Sequence, residues 1–310
     1  MSKSVFSAAH FNDEAAAYAF VEAHLWADGR VCPHCGVVDK SGPLGGKSSR
    51  IGLYKCYACR KPFTVKIGTI FEASHIQMRD WLTAIHMICS GKKGVSANQL
   101  HRTLGITLKS AWFMSHRIRE AFKPYGRPDP MGSDGRIVEA DETYYGNKKD
   151  VPAARGTAHK HAVMALVERG GRMRSLYMPV LRQADVRDVV KNHVSPKAQL
   201  NTDESSLYFG IENWVVSHDS VNHSQEEWAR GEVSTNTIEG AFGLFKRGMV
   251  GTYQHCESQH LQRYLNEFDF RYSNRTALGI GDEARAVKAL KGAAGKRLTY
   301  RTTRGQEARA

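Results

Sequence analysis

Residues 136–146 read Arg136-Ile137-Val138-Glu139-Ala140-Asp141-Glu142-Thr143-Tyr144-Tyr145-Gly146. The apolar and aromatic residues predict a strand. Its period of two sets Ile137, Glu139 and Asp141 on one face and Val138, Ala140 and Glu142 on the other. Carboxylates are poor strand formers, so acids inside an apolar strand ask for a chemical reason. A second strand-like run covers 161–171 and ends in Gly170-Gly171, a turn fit for a hairpin, and a third covers 173–180. A helix over 184–193 then leads to Ala198-Gln199-Leu200-Asn201-Thr202-Asp203-Glu204-Ser205, a strand that again carries an acid. A short strand is expected near 214–218.

Three antiparallel strands, a crossover helix and a further strand bearing an aspartate form the ribonuclease-H-like order, a mixed sheet flanked by helices. That order asks for one more acid on a following helix. Residues 234–249 contain Asn236, Glu239, Gly243 and Lys246 at helical spacing on one stripe, with Ile238, Ala241, Phe242 and Phe245 on the apolar face. A carboxylate and an ammonium on a glycine-thinned stripe suit the approach of a phosphate chain. Thirty-five residues separate Asp203 from Glu239, in agreement with a D-D-35-E arrangement. Each acid alone has a plainer explanation as a strand-end cap, a turn residue or a surface charge. Glu139, Glu142, Glu204 and Asp219 compete with them. His218, Asn222 and His223 either line the site or hold a loop, and 255–275 reads as an amphipathic helix closing the core.

Upstream, Pro124, Gly126, Pro128, Pro130 and Gly132 crowd nine residues and predict a linker over 124–135. Before it, 75–91 reads as a helix stopped by Gly91. Ser96 caps a helix reaching Leu104, Gly105 makes a turn, and Thr107 caps a longer helix to about Phe122. This is the helix-turn-helix pattern, although an ordinary helical hairpin has the same outline. Thr107, Lys109, Ser110 and Arg117 are its candidate DNA contacts, while Trp112 and Ile118 read as core. Further upstream stand Cys32-Pro33-His34-Cys35 and, twenty residues later, Cys56-Tyr57-Ala58-Cys59. Two such knuckles predict one structural Zn²⁺ held by four thiolates. A disulfide pair or a redox motif explains the duplication less well. A helix over 13–26, capped by Asn12, precedes the knuckles. Cys89 and Cys256 read as core residues.

The chain has 310 residues and a formal net charge of +13. An apolar fraction of 41% excludes a wholly disordered chain, and no apolar run is long enough to span a membrane. No signal peptide is visible at the N-terminus, which predicts a cytoplasmic, nucleoid-associated protein with reduced thiols. The positive surplus favours a polyanionic partner. Residues 285–310 hold eight lysines and arginines against one acid, and they read as a loosely ordered basic tail, either merely solvated or touching phosphates.

Several stretches together resemble a known family: 138–146, Thr202-Asp203-Glu204-Ser205, Val221-Asn222-His223-Ser224, Thr235-Asn236-Thr237-Ile238-Glu239-Gly240, Phe245-Lys246-Arg247-Gly248, 260–264 and 267–272. The chain is similar, from about residue 11 to 301, to bacterial insertion-sequence transposases with a zinc ribbon before a DDE catalytic core. The resemblance implies that Asp141, Asp203 and Glu239 are the catalytic carboxylates and that Lys246 is the family's additional helical lysine. Two Mg²⁺ or Mn²⁺ ions would then be shared, with Asp141 bridging them and Asp203 and Glu239 each completing one shell. It also implies double-stranded DNA as partner, both the element's terminal inverted repeats and the target. At least a homodimer is needed to hold two ends, and no membrane is involved. Water would release a 3′-hydroxyl that attacks target DNA. A DNA-binding regulator without catalysis and a ribonuclease-H-like nuclease without strand transfer are the alternatives. The expected architecture is multidomain α+β and α/β: ribbon 1–70, helix-turn-helix 71–123, linker 124–135, catalytic core 136–280 and tail 281–310.

Overall fold

Asp13, not Asn12, opens the first long helix: its carboxylate accepts the Ala16 N–H at 2.7 Å, while the Asn12 amide donates to the carbonyls of Phe6 and Ala8. The computed structural model describes residues 4–46, 49–149, 151–153 and 155–299. It divides the chain into two units, Met1–Lys123 with Gly281–Ala310, and Pro124–Ile280.

In the first unit, α1 (Ala9–Asn12) and α2 (Glu14–Leu25) precede a small antiparallel sheet of β1 (Ser41–Pro43), β2 (Tyr54–Cys56) and β3 (Pro62–Phe63). Three helices follow: α3 (Met78–Ser90), α4 (Ala97–Leu104) and α5 (Leu108–Phe122). Gln77 at the start of α3 makes no side-chain cap. Glu14 of α2 does that work, accepting the N–H groups of Met78 at 2.7 Å and Arg79 at 3.2 Å. The helix-turn-helix elements form as their caps predict. Ser96 accepts from Gln99, Gly105 turns the chain at φ +65°, and Thr107 accepts from Ser110.

The second unit is a three-layer α/β/α structure. Its sheet comprises β4 (Ile137–Asn147), β5 (Lys160–Glu168), β6 (Met173–Met178), β7 (Gln199–Thr202) and β8 (Ser217–Ser220), in the order β6-β5-β4-β7-β8. The first three strands pair antiparallel and the last two join β4 in parallel, so the fold is ribonuclease-H-like. The crossover helix α6 (Gln183–His193) covers one face, packing Val186, Val189 and Val190 against Val138, Ala140, Leu166 and Leu200. A hairpin of β9 (Ala229–Arg230) and β10 (Val233–Ser234) leads into α7 (Asn236–Gly248). This helix and α8 (Ser258–Ser273) cover the other face with Ile238, Phe242, Phe245, Leu261, Leu265 and Phe268. Each strand of β4 and β5 alternates between these two cores, the period-two pattern made physical.

Two expectations about the boundaries fail. Residues 124–135 do not form a free linker throughout. Met131 is fully buried and exchanges backbone hydrogen bonds with His193 and Ser195, and the Gly132 N–H donates to Glu168 at 2.7 Å. Nor is the C-terminal stretch a loose tail up to residue 299. Asp282–Lys291 forms α9, which packs on α3 in the first unit with Ala289, Leu290 and the following Ala293 buried. Arg285 is buried too, donating to the Cys89 carbonyl at 2.8 Å. Beyond α9, the Ile70 N–H donates to Ala293 and the Gly295 N–H to Gly68. The basic residues hide an apolar stripe because long cationic stems cover such a surface as well as aliphatic ones do. Residues 300–310 of the expected tail lie outside the described residues.

Gly292 permits this closure. A Cβ there would meet the Ala121 carbonyl oxygen at 2.2 Å. Gly292→Ala is therefore expected to destabilise the first unit by about 1–3 kcal/mol, read as a lower midpoint in thermal denaturation.

Candidate active site and zinc centre

The four knuckle cysteines converge. Their sulfur atoms all lie within 4.8 Å of one another, with Cys32–Cys59 and Cys35–Cys56 each at 3.7 Å. Zn–S bonds of about 2.3 Å in a tetrahedron require an S–S edge of about 3.8 Å, so the donor set fits a structural Zn²⁺. Without the ion the four thiols share their protons unevenly: the Cys59 amide lowers Cys56 to about 7, while burial and the neighbouring thiols push Cys35 up to about 11. His34, which stands inside the first knuckle, is turned to the Pro62 carbonyl at 3.2 Å. Around the knuckles the core is small. Cys32, Cys56 and Phe63 are buried against Trp26, Val37 and Tyr54, and the Arg30 guanidinium lies 3.8 Å above the Tyr54 ring.

Of the candidate DNA contacts on α5, Thr107 and Lys109 are exposed at its start and Ser110 is half-buried. The Thr107 hydroxyl donates to Ser110 Oγ at 2.9 Å besides capping the helix. Arg117 is a correction. It is only 6% exposed, and its guanidinium donates to the carbonyls of Glu72 at 2.7 Å and Leu298 at 3.1 Å. It holds the unit together and is not available to a DNA groove. The C-terminal return that buries it lies 181 residues away in sequence, beyond the reach of helical periodicity.

In the second unit, parallel pairing sets Ile137 beside Gln199 and Glu139 beside Asn201. The same register carried two residues further brings Asp141 of β4 beside Asp203, the first residue after β7. Glu239 stands in the first turn of α7, on the sheet face where β4 displays Asp141. Burial, then Glu142, Asp203 and Glu239, push the Asp141 carboxyl up to about 8. Asp203 is also raised, chiefly by burial. Along α7, Asn236, Glu239 and Lys246 form the exposed stripe, and Ile238, Ala241, Phe242 and Phe245 are buried. Among the described residues the three carboxylates do not close to the 4.8 Å spacing that the cysteines reach.

The competing acids have other work. Glu139 is fully buried: Oε1 accepts from Arg169 Nε at 2.7 Å, and Oε2 accepts the N–H groups of Thr237 and Ile238, each at 2.9 Å. It docks the N-terminus of α7 on the sheet and favours the positive end of that helix dipole. Arg169 also donates to Glu232 and Ser234, fastening the hairpin before α7. Glu142 points to the α6 side, where the hydroxyls of Tyr208 and Ser205 donate to it. Glu204 accepts the N–H groups of His223 and Ser224 and the Ser224 hydroxyl, which lower its carboxyl to about 2. Asp219 is exposed on the edge strand β8. His218 bonds Thr202 at 2.9 Å, and Asn222 caps the turn that follows it. His223 alone of these three reaches the acid of α7, at 3.4 Å from Glu239.

With Glu139, Glu142 and Glu204 held by other partners, a ribonuclease-H-like sheet that carries Asp141 on one strand and Asp203 at the end of the parallel strand beside it, under a helix bearing Glu239, has the form of a DDE-type transposase domain. Comparison with known proteins agrees. Residues 133–273 match the ISXO2-like transposase domain and residues 12–62 the transposase zinc-ribbon domain, together more than half of the chain. The chain belongs to the insertion-sequence transposases that carry this domain behind a zinc ribbon, and it is a DNA transposase. It is 24% identical over 263 residues to an uncharacterized protein in transposable element ISH50 of Halobacterium salinarum, covering 79% of this chain and 86% of the relative. Among solved structures it is similar to a chain of a pre-cleavage Mos1 transpososome, at 12% identity and a TM-score of 0.26, covering 68% of this chain and 75% of that one. A Mos1 transposase paired-end complex gives 12% identity and a TM-score of 0.20, with 64% and 77% covered.

Proposed function

We propose that this transposase binds the terminal repeats of its element through the ribbon and the helix-turn-helix. Asp141, Asp203 and Glu239 then cut the element's end and join it to target DNA, with at least two copies holding the two ends. The carrying observation is the placement of Asp141, a half-buried carboxyl on the strand beside the end of β7 and on the sheet face that α7 covers, whose ionisation Glu142, Asp203 and Glu239 all oppose. Such a donor set, hard oxygens whose charges repel, fits a divalent cation such as Mg²⁺ or Mn²⁺. When bound, a pair of ions activates the attacking oxygen and stabilises the leaving one. Asp141 would hold the cation together with Asp203 and Glu239, the acids whose charges it feels. Lys246, two turns along the exposed stripe from Glu239, is suited to a backbone phosphate next to the scissile one.

The test is a duplex bearing the inverted repeats that flank the gene, incubated with the full chain and Mg²⁺. Specific cutting at the repeat boundary is expected. Binding without cutting would favour a regulator, and cutting without joining a nuclease.

The arrangement of α5 makes a separate prediction. Lys109→Ala should reduce the salt slope of end binding by about one, the loss of one phosphate contact. Arg117→Ala should leave that slope unchanged and lower the thermal midpoint instead, because two backbone carbonyls lose a buried donor. A fluorescence-anisotropy salt titration beside a melt separates the two.

A further inference from the structure

Two side chains that the proposed chemistry does not use converge on one oxygen of Glu239. Thr235 is 1% exposed and stands at the N-cap position of α7, yet its side chain makes no cap bond. Its hydroxyl donates to Glu239 Oε1 at 3.0 Å. With that proton committed, the 3.2 Å contact between Thr235 Oγ1 and His223 Nε2 requires the ring nitrogen to donate. The same Nε2 lies 3.4 Å from Glu239 Oε1. The other ring nitrogen of His223 is buried without a hydrogen-bond partner among the described residues, and the Trp228 ring covers the imidazole at 4.8 Å between centroids.

Neither group is free to wander. Glu204, the chain neighbour of Asp203, accepts the His223 N–H at 3.0 Å and the Ser224 N–H at 3.1 Å. On the other side Arg169 donates to both the carbonyl and the hydroxyl of Ser234, next to Thr235. The end of β7 and the start of α7 are thereby tied through the His223 turn.

We infer that Thr235 and His223 are positioning residues that immobilise Oε1 of Glu239 and so prepare Oε2 as its cation-binding oxygen, with Glu204 coupling this setting to Asp203. The inference rests on the reading of Glu239 as a metal-binding acid. Its physical basis is entropy. An exposed glutamate on a helix surface must surrender rotamer freedom when it ligates, and a carboxylate already held by the Thr235 hydroxyl, itself fixed by the His223 N–H, has less to surrender.

The test is a Mn²⁺ titration of the full, zinc-loaded chain, with free Mn²⁺ followed by electron paramagnetic resonance and end cleavage measured in parallel. Thr235→Val keeps the shape without the hydroxyl and should weaken Mn²⁺ binding about tenfold, whereas Thr235→Ser should remain within about twofold of the parent. His223→Ala should weaken binding in the same direction, and His223→Gln, which retains an N–H donor, should recover part of the loss. Should Thr235→Val not fold, the His223 pair alone decides. Parental Mn²⁺ affinity in Thr235→Val and His223→Ala, with Glu239→Gln defective, would overturn this inference alone. A Glu239→Gln chain that binds Mn²⁺ and cuts like the parent would instead overturn the reading of Glu239 on which it rests.

Discussion

Asp141→Asn should bind end DNA with parental affinity and cut it on the order of a thousandfold more slowly, the loss of several kcal/mol of transition-state stabilisation by the bound cations. The substitution keeps the shape of the side chain and removes its charge. Its effect on stability should have the opposite sign to its effect on activity. The unfolded chain ionises Asp141 in the ordinary carboxylate range, whereas the folded, metal-free chain holds the proton up to about 8. Across neutral pH, ionisation of this group therefore opposes folding, and an amide removes that cost. In Mg²⁺-free buffer at pH 7 the thermal midpoint of Asp141→Asn should equal or exceed that of the parent, and below pH 4 the difference should vanish. A variant that melts lower and cuts slower would have lost structure, not a ligand.

Zinc removal should have a comparably large effect on a different step. Without the ion, the cluster of buried residues around the knuckles, Cys32, Cys56 and Phe63, is too small to hold the ribbon folded. Structural zinc contributes roughly 10–16 kcal/mol to small folds of this kind. Strong chelation, or Cys59→Ser, should therefore unfold the ribbon, exposing residues 31–65 to limited proteolysis. End binding should then fall to the sequence-independent, salt-sensitive level, about a thousandfold weaker. Readdition of Zn²⁺ should restore binding in the chelated parent and not in Cys59→Ser.

Local chemistry was readable in advance. The caps at Ser96 and Thr107, the turn at Gly105 and the knuckle spacing are decided within a few residues, and they stand where the sequence predicts. Strand alternation likewise set Asp141 and Glu142 on opposite faces, which separates the acid on the α7 side from the one that Tyr208 holds. What escaped was decided by distant chain. Arg117 looks like a surface cation until residues 297–299 return over it, and the sequence from Arg285 looks like a solvated tail until α9 meets α3. Glu139 shares its strand face with Asp141, and only the packing of α7 commits it to two backbone N–H groups. The roles of Thr235 and His223 depend on a turn and a helix start that no spacing rule brings together. Period and caps report a residue's own element, while burial of a charge is settled by the element that arrives last.

On the function proposed for it, this chain uses Asp141 and its partners both to cut an element end and to join it to new DNA. The most direct measurement is a joining assay. A pre-cut duplex ending in the element's terminal repeat is incubated with the full chain, Mg²⁺ and a supercoiled target plasmid. The junctions are then sequenced. The parent chain should join the 3′-hydroxyl strand of the repeat covalently to target DNA, and Asp141→Asn should give no joined product under conditions where both bind the end equally. Equal joining by Asp141→Asn, or no joined product from a parent chain that binds the end, would contradict that function.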